Sequence, residues 1–301
     1  MISGNEINLT VAELNRRNCL LYHAAHLKDF ISYLKLGGIP SRELMENKAA
    51  KFTQFNSDAQ DKADLVFDKV FVNLSDFGST FNNGGRATPL IYGPILMAID
   101  PSALLLATDV AVCLRSAGTP GYNRQNESLT TSLEFIRLFK DSTGKWIKNS
   151  ADLKTEFPRL TVGGQPEISC SISAQLIPFS YVKFIVVDPI SISGVDLPKV
   201  VTQIISKQGL PTRVCRRFCS SRMSVHDYQE IYDIAQKRLI GFQDIAHNAT
   251  SGTIQAWAQA MRAADSTGKS WKRFKTFQNY FNEGTADFIN ANLGGFLKLV
   301  A

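Results

Sequence analysis

The chain has 301 residues, of which 44% are hydrophobic and 20% are charged, and its formal net charge is +6. This composition excludes a mainly disordered chain, because so apolar a sequence can bury enough surface to offset its ordering entropy. A basic excess of this size fits an anionic partner, with nucleic acid as the first candidate. The five cysteines are odd in number and widely spaced, which predicts free thiols instead of a disulfide framework or a metal site.

The apolar segments do not predict membrane insertion or export. The longest of them, residues 89–114, is interrupted by two prolines and two aspartates, so we expect no membrane span. The apolar cluster at residues 19–22 is too short for the hydrophobic region of a signal peptide. We therefore expect a cytoplasmic protein.

The first half of the chain alternates strand and helix patterns. Residues 20–23 predict a short strand, and the apolar spacing over residues 27–36 predicts a helix that a Gly-Gly pair ends. Residues 66–72 are rich in Val and Phe and predict another strand. A loop rich in Gly, Asn and Ser follows over residues 75–88, and the apolar run over residues 91–99 predicts the next strand.

The second half changes from strands to helices. Residues 129–139 have helix-like apolar spacing. Residues 168–177 alternate Ile and Ser, which is typical of a half-buried strand, and residues 181–187 predict a second strand. From residue 224 to the C-terminus the pattern is mostly helical.

These patterns predict a fold of the α/β (α+β) class. Strands dominate the first two thirds of the chain and helices the last third. We therefore predict a mixed α/β core over residues 15–210. A basic helical extension, residues 211–301, then packs on that core.

The local motif with the clearest chemistry is Gln165-Pro166-Glu167, at the start of a predicted strand. Residues two apart on an extended chain face the same side, so the Gln165 amide and the Glu167 carboxylate point together. Such a pair can hold a ribose hydroxyl and stabilise the positive charge that develops as a glycosidic bond breaks. Spacing alone favours the simpler interpretation, a surface glutamate in a turn.

Two further segments carry residues that can bind an anion or a ligand. His23 ends the first predicted strand and can hydrogen-bond a ligand, although a histidine in this setting is more often structural. The glycines before Arg86 let main-chain amides approach an anion, and Arg86 itself can clamp a phosphate. This Gly-Gly-Arg sequence matches no standard nucleotide-binding motif.

Taken together and in this order, the three segments resemble DarT-type ADP-ribosyltransferases over roughly residues 20–190. Tyr22-His23 with the helix and Gly-Gly turn that follow resembles the family's opening, and the stretch from Arg86 to Tyr92 resembles its arginine-containing strand entry. Glu167 and the two strands after it resemble the family's ending, in which the glutamate is catalytic. Gln165 and Glu167 also resemble the Gln-x-Glu motif of ADP-ribosyltransferase toxins.

The resemblance implies a fold, a substrate and a set of roles. The fold is the split mixed sheet of ADP-ribosyltransferases with flanking helices, and NAD lies in its central cleft as a substrate. Glu167, with Gln165, stabilises the ribose cation, and His23 binds the nicotinamide-side ribose. Arg86 or Arg42 pairs with the pyrophosphate. Tyr92 stacks on nicotinamide, although as a residue of an apolar run it is also a candidate for the core.

The same resemblance implies a nucleic-acid acceptor. DarT-like enzymes modify bases, so we expect a toxin that acts on single-stranded DNA or RNA, is held in check by an antitoxin protein and serves in phage defence. Transfer to a protein side chain, and a non-catalytic nucleic-acid-binding module of the same fold, remain alternatives. The residues predicted to contact nucleic acid are an arginine cluster and a loop before Glu167: Arg213, Arg216 and Arg217, and then Trp146, Phe157 and Arg159.

Overall fold

The computed structural model describes residues 1–53, 58–75, 93–117, 119, 121–163, 166–192, 194–218 and 225. Twelve strands run through this part of the chain. They are β1 Ile2–Ser3, β2 Leu21–Ala25, β3 Gly38–Pro40, β4 Val70–Asn73, β5 Ile95–Ile99, β6 Ala107–Cys113, β7 Glu167–Ile172, β8 Leu176–Pro178, β9 Val182–Val187, β10 Ser191–Ile192, β11 Val195–Asp196 and β12 Arg213–Arg216.

Seven α-helices and two short 3₁₀-helices lie between these strands in the same described ranges. The α-helices are α1 Asn5–Arg16, α2 Leu27–Leu36, α3 Arg42–Asn47, α4 Asp58–Ala63, α5 Ser132–Ile136, α6 Ser150–Glu156 and α7 Leu197–Lys207. The 3₁₀-helices are Pro101–Leu106 and Phe179–Tyr181. The predicted mixed α/β class is thus confirmed.

Eight of the strands form one sheet in the order β1-β6-β7-β4-β2-β5-β9-β12. Neighbours are antiparallel, except that β12 pairs with β9 in parallel. Two small sheets, β3-β8 and β10-β11, accompany it. The sheet is therefore mixed and is flanked by helices, as predicted.

The local patterns explain most of these elements. The apolar residues of α2 recur at helical spacing, and the helix ends at Gly37, whose φ of 86° is left-handed and suits glycine. The alternation at residues 168–177 does form a strand, but β7 ends at Ile172. Gln175, with a φ of 51°, turns the chain there and the alternation resumes in β8.

One face of the sheet carries the main hydrophobic core. Leu14 of α1, Phe30 of α2 and Val201 of α7 pack there with inward residues of the strands. On the opposite face, a smaller cluster surrounds Cys113 and Tyr122. The two faces of the sheet thus have different packing partners.

The sheet extends beyond the core limits that the sequence predicts, which are residues 15 and 210. β1 and most of α1 precede residue 15, and they belong to the sheet and its core. β12 pairs with β9, so the arginines that it carries lie on a strand and not in a helical extension. Of that extension, residues 211–218 and Val225 are described, and the other residues lie outside the described part of the chain.

Two consecutive arginines at β12 have different roles. Arg217 donates to Asp188 at 2.6 Å, and only 4% of the Arg217 side chain and none of the Asp188 side chain is exposed. Arg216 pairs with Asp196 at 2.6 Å, but 45% of its side chain is exposed. The first pair fixes the end of the edge strand, whereas the second lies in solvent.

Arg217→Ala should destabilise the protein by about 3–5 kcal/mol, because it leaves the Asp188 carboxylate buried without its guanidinium. Arg216→Ala should change the free energy of unfolding by less than about 1 kcal/mol, as expected of an exposed pair. Urea denaturation of both variants measures the difference. Equal effects would contradict the structural role of Arg217.

Candidate functional site

Glu167 lies at the start of β7, in a row of residues that crosses four strands. It is paired with Asn73 on β4 and with Cys113 on β6, and Asn73 is in turn paired with Tyr22 on β2. Directly paired residues of antiparallel strands point to the same face of a sheet. Tyr22, Asn73, Glu167 and Cys113 therefore share the face that carries the smaller cluster.

The carboxylate of Glu167 is held by the turn that follows β6. The Ala117 N–H donates to Oε1 at 2.8 Å, and the Ser116 hydroxyl donates to Oε2 at 3.2 Å. Each carboxylate oxygen thus has a donor, and the side chain has a fixed direction at the end of its strand. A surface glutamate in a turn would not need such contacts.

Burial raises the pKa of Glu167 to about 7, although both hydrogen bonds favour the ionised form. The charge of Asp61 on α4 acts in the same direction as burial. A carboxyl group with a pKa near neutral pH can accept and release a proton efficiently. Such a group at a strand end is a candidate catalytic acid–base.

The neighbouring strands β2 and β4 diverge close to this row. β2 is paired with β5 along five residues, but with β4 only through Tyr22 and Asn73. Beside that pair, His23 Nδ1 donates to the Phe71 carbonyl at 2.7 Å. An imidazole thus contacts β4 where a continued ladder would place a main-chain N–H.

His23 is fixed by protein contacts at both ring nitrogens. Because Nδ1 faces a carbonyl, it carries the proton, and Nε2 accepts from the Tyr33 hydroxyl at 3.1 Å. Burial lowers the pKa of His23 and so favours this neutral form. His23 is one residue along β2 from Tyr22, so it faces α2 and the main core, on the opposite side of the sheet from Glu167.

Arg42, a predicted pyrophosphate ligand, is the first residue of α3, and its side chain already contacts other residues of the protein. Its Nη2 donates to both carboxylate oxygens of Asp58 of α4, at 2.7 and 2.9 Å, and the guanidinium lies 4.7 Å from the centre of the Phe52 ring. It also donates to the Thr53 carbonyl. Only 15% of the Arg42 side chain is exposed, so a phosphate would have to compete with Asp58.

Three other predicted site residues lie outside the described residues: Gln165, Arg86 and Tyr92. Their proposed contacts with Glu167 and with NAD remain predictions. The segment that connects Arg86 to β5 reaches the described structure at Gly93. A side chain at Gly93 would lie 2.1 Å from the main chain of Ala25, so Gly93 lies directly beside the end of β2.

The segment before Glu167 presents two of its three predicted nucleic-acid contacts to solvent. Trp146 is 54% exposed, and Lys140 lies 4.6 Å from the centre of its ring. The Arg159 side chain is 46% exposed and pairs with Glu134. Phe157 is only 3% exposed and packs in the main core, which leaves it no ring face for a base.

The predicted arginine cluster is divided in the same way. Arg213 is exposed and Arg216 is half-exposed in its pair with Asp196. Arg217 is buried against Asp188, so the prediction that it contacts nucleic acid is not compatible with its position. Arg217 directly follows the edge strand β12, and its side chain is directed into the protein against Asp188 and away from solvent.

Sequence reasoning missed the groups that hold Glu167. Ser116 and Ala117 follow an apolar strand and form an ordinary turn in the sequence, and Asn73 ends another strand. The Ala117 donor is a main-chain N–H, which carries no signal in the residue type. The Asn73 pairing depends on the order of strands that are distant in sequence.

Two general features of the described part of the chain bear on the site. It contains no group of three or more His, Cys, Asp or Glu residues placed to hold a metal ion. None of the helices in these ranges is both long and apolar enough to cross a membrane.

Comparison with known proteins finds similar solved structures, among them two of the same Thermus protein. No family model matches the sequence, and neither does any curated protein. A structure described as Thermus sp. 2.9 DarT in complex with ADP-ribosylated ssDNA is 15% identical and has a TM-score of 0.39; the match covers 67% of this chain and 95% of that one. For Thermus sp. 2.9 DarT in complex with NAD+ the identity is 13% and the TM-score 0.36, with 66% and 95% covered.

Proposed function

We propose that the chain is an NAD-dependent ADP-ribosyltransferase that modifies bases of single-stranded nucleic acid, DNA or RNA. The observation that carries the proposal is the Glu167 carboxylate, which is fixed by two donors at a strand end and has its pKa raised to about 7. Its position agrees with the role that the sequence motif assigns to it. Gln165, Arg86 and Tyr92 keep their predicted roles within this proposal.

The chemistry requires a carboxylate at this point. NAD supplies a ribose whose C1′ carries a cationic nicotinamide as leaving group. As the bond from C1′ to nicotinamide breaks, the Glu167 carboxylate stabilises the positive charge on the ribose and accepts a hydrogen bond from its 2′-hydroxyl. A base nitrogen of the acceptor then forms the new bond to C1′, and the proton that it loses passes to Glu167.

Other residues position this group and its substrate. His23 holds β2 and β4 at their divergence through its two hydrogen bonds, so its contribution to NAD binding is through the shape of the cleft. Arg42 binds the pyrophosphate by exchanging its Asp58 partner for phosphate oxygens. Tyr22 and Asn73, on the same face as Glu167, border the ribose.

The exposed basic and aromatic residues support a polyanionic acceptor. Trp146 offers a partly exposed ring for stacking, and Arg159, Arg213 and Arg216 offer solvent-facing guanidinium groups. An antitoxin partner and a role in phage defence follow only from the motif resemblance and belong to the proposal on that basis. Transfer to protein is the second candidate, because an exposed basic surface also fits an acidic protein.

Glu167→Gln should abolish ADP-ribosylation of oligonucleotides while the fold is retained. The amide keeps the acceptor for the Ala117 N–H but removes the negative charge that stabilises the ribose cation, and we expect a loss of at least about a hundredfold. Mass spectrometry of single-stranded DNA and RNA oligonucleotides after incubation with NAD measures the modification.

Glu6→Gln is the matched control, because Glu6 also accepts a main-chain N–H and a hydroxyl, both from Ser132, but lies on α1. It should retain transfer activity. Retained activity in Glu167→Gln would contradict the proposed role. Modification of protein, but not of oligonucleotides, in a cell lysate would establish the second candidate, and salt-sensitive oligonucleotide binding without NAD turnover would indicate a non-catalytic module.

The rate of transfer should rise with pH through about 7, because only the ionised Glu167 can stabilise the cation and accept a proton. Below this pH the carboxyl is protonated, and the rate should fall about tenfold for each pH unit. Single-turnover measurements at saturating NAD give the profile. A rate that is independent of pH between about 5 and 8 would contradict the assignment.

Glu167→Gln should also stabilise the protein at alkaline pH. The carboxyl has its pKa raised to about 7 in the folded protein from an ordinary value of 4.5, so rising pH through this window favours the unfolded state. The variant should gain about 1–2 kcal/mol above pH 7, after allowance for solvent screening, and nothing below pH 4.5. Urea denaturation across this range measures the gain, and a loss of stability at pH 8 would contradict it.

A further inference from the structure

The turn that holds Glu167 belongs to a long loop, residues 114–128, which is closed at its base. Cys113 pairs with Ser128, and the Leu129 N–H donates to the Val112 carbonyl. The loop also packs inward, since the Tyr122 hydroxyl lies 3.3 Å from the Cys113 sulfur. Its first turn contains Ser116 and Ala117, the two donors to Glu167.

An ion pair crosses this loop just before that turn. Arg115 Nε and Nη2 each donate to one carboxylate oxygen of Glu127, at 2.5 Å, and Nη2 also donates to the Gly121 carbonyl at 2.7 Å. The Asn123 N–H donates to the same carboxylate at 3.0 Å. One guanidinium therefore joins the beginning, the middle and the end of the loop.

We propose that the Arg115–Glu127 ion pair positions Glu167, by fixing the turn whose Ser116 and Ala117 donors hold its carboxylate. Arg115 and Glu127 act on Glu167 through this turn, so they are positioning residues. Glu127 is twelve residues from Arg115, so the pair ties the turn to the far end of the loop. The inference rests on the proposed function in that it assigns the positioned carboxylate a catalytic role.

The Arg115–Glu127 ion pair can restrain the loop strongly because it is largely buried. The two side chains are only 10% and 14% exposed, so the bidentate contact is screened little by solvent and is worth more than an exposed surface pair. Opposite the pair, Gly163 lies so close that an added Cβ would be 2.9 Å from the Arg115 Cβ. Gly163, four residues before Glu167, thus packs directly on Arg115.

The test is a titration of Glu167 in the Glu127→Gln variant. Carbon-13 NMR of the side-chain carboxyl, assigned with Glu167→Gln, gives the midpoint without any NAD. We expect it to rise by about one pH unit relative to wild type, because a carboxylate that loses a main-chain donor is harder to ionise. Asp61 also raises the pKa of Glu167, and Glu167 in turn raises the pKa of Cys113 and of Tyr122; all three groups are retained in this variant.

Glu13→Gln is the matched control. Glu13 pairs with Arg17 on α1 at closely similar exposure, 9% and 11%, but far along the chain from the Glu167 turn. It should lose stability as Glu127→Gln does, and leave the Glu167 midpoint where it is in wild type. Equal midpoints in wild type, Glu13→Gln and Glu127→Gln would overturn the proposal.

A second variant separates position from stability. Arg115→Met combined with Glu127→Leu removes both charges, so no unpaired ion is left buried and the fold is retained. The Glu167 midpoint should still be raised, and the pH profile of transfer should move with it. An unshifted Glu167 midpoint in this variant would overturn the proposal. A shifted midpoint, when the wild-type protein itself shows no transfer activity, would support the positioning role and contradict only the proposed function.

Discussion

The interruption of the hydrogen-bond ladder between β2 and β4 is the constraint on which the site depends. A continuous sheet satisfies its main-chain groups by pairing and leaves no cleft. Here the pairing of β2 with β4 is limited to Tyr22 and Asn73, and the His23 side chain supplies the Phe71 carbonyl with a donor. The fold can therefore open at its centre without leaving that carbonyl unpaired.

The same row of residues places a carboxylate where the protein would be more stable without it. Burial opposes the ionisation of Glu167, and the two donors from residues 116 and 117 offset only part of that effect, so its pKa stays near 7. A main-chain N–H and a hydroxyl are suited to this task because the turn fixes them and they bring no countercharge that would neutralise the carboxylate. Keeping the Glu167 carboxylate buried lowers the stability of the folded protein, and the packing of the surrounding core must compensate for that loss.

The sequence predicts what depends on local order and fails where distant segments decide. The spacing of α2 and the alternation of β7 identify their elements, and the motif around Glu167 identifies the residue at the site. The predicted ends of the core, residues 15 and 210, differ from the ends of the sheet, because pairings such as that of β12 with β9 join residues 29 positions apart in the sequence. Asn73 and the Ala117 N–H could not be found either, since sheet order and main-chain geometry leave no mark on residue type.

The distribution of charged residues along the sequence does not identify the nucleic-acid surface, whereas the exposure of individual arginines in the structure narrows the candidates. Residues 1–217 hold 24 Lys or Arg against 20 Asp or Glu, and residues 218–301 hold 9 against 7, so the basic excess is not confined to the C-terminal segment.

Within the described ranges, Arg42 and Arg217 are largely buried against carboxylates, and a phosphate could reach them only by displacing those partners. Arg159 and Arg216 are also paired, but an exposed pair contributes little, and a phosphate can replace its carboxylate at small cost. The exposure of an arginine, more than its place in a cluster, therefore decides whether it can bind a polyanion.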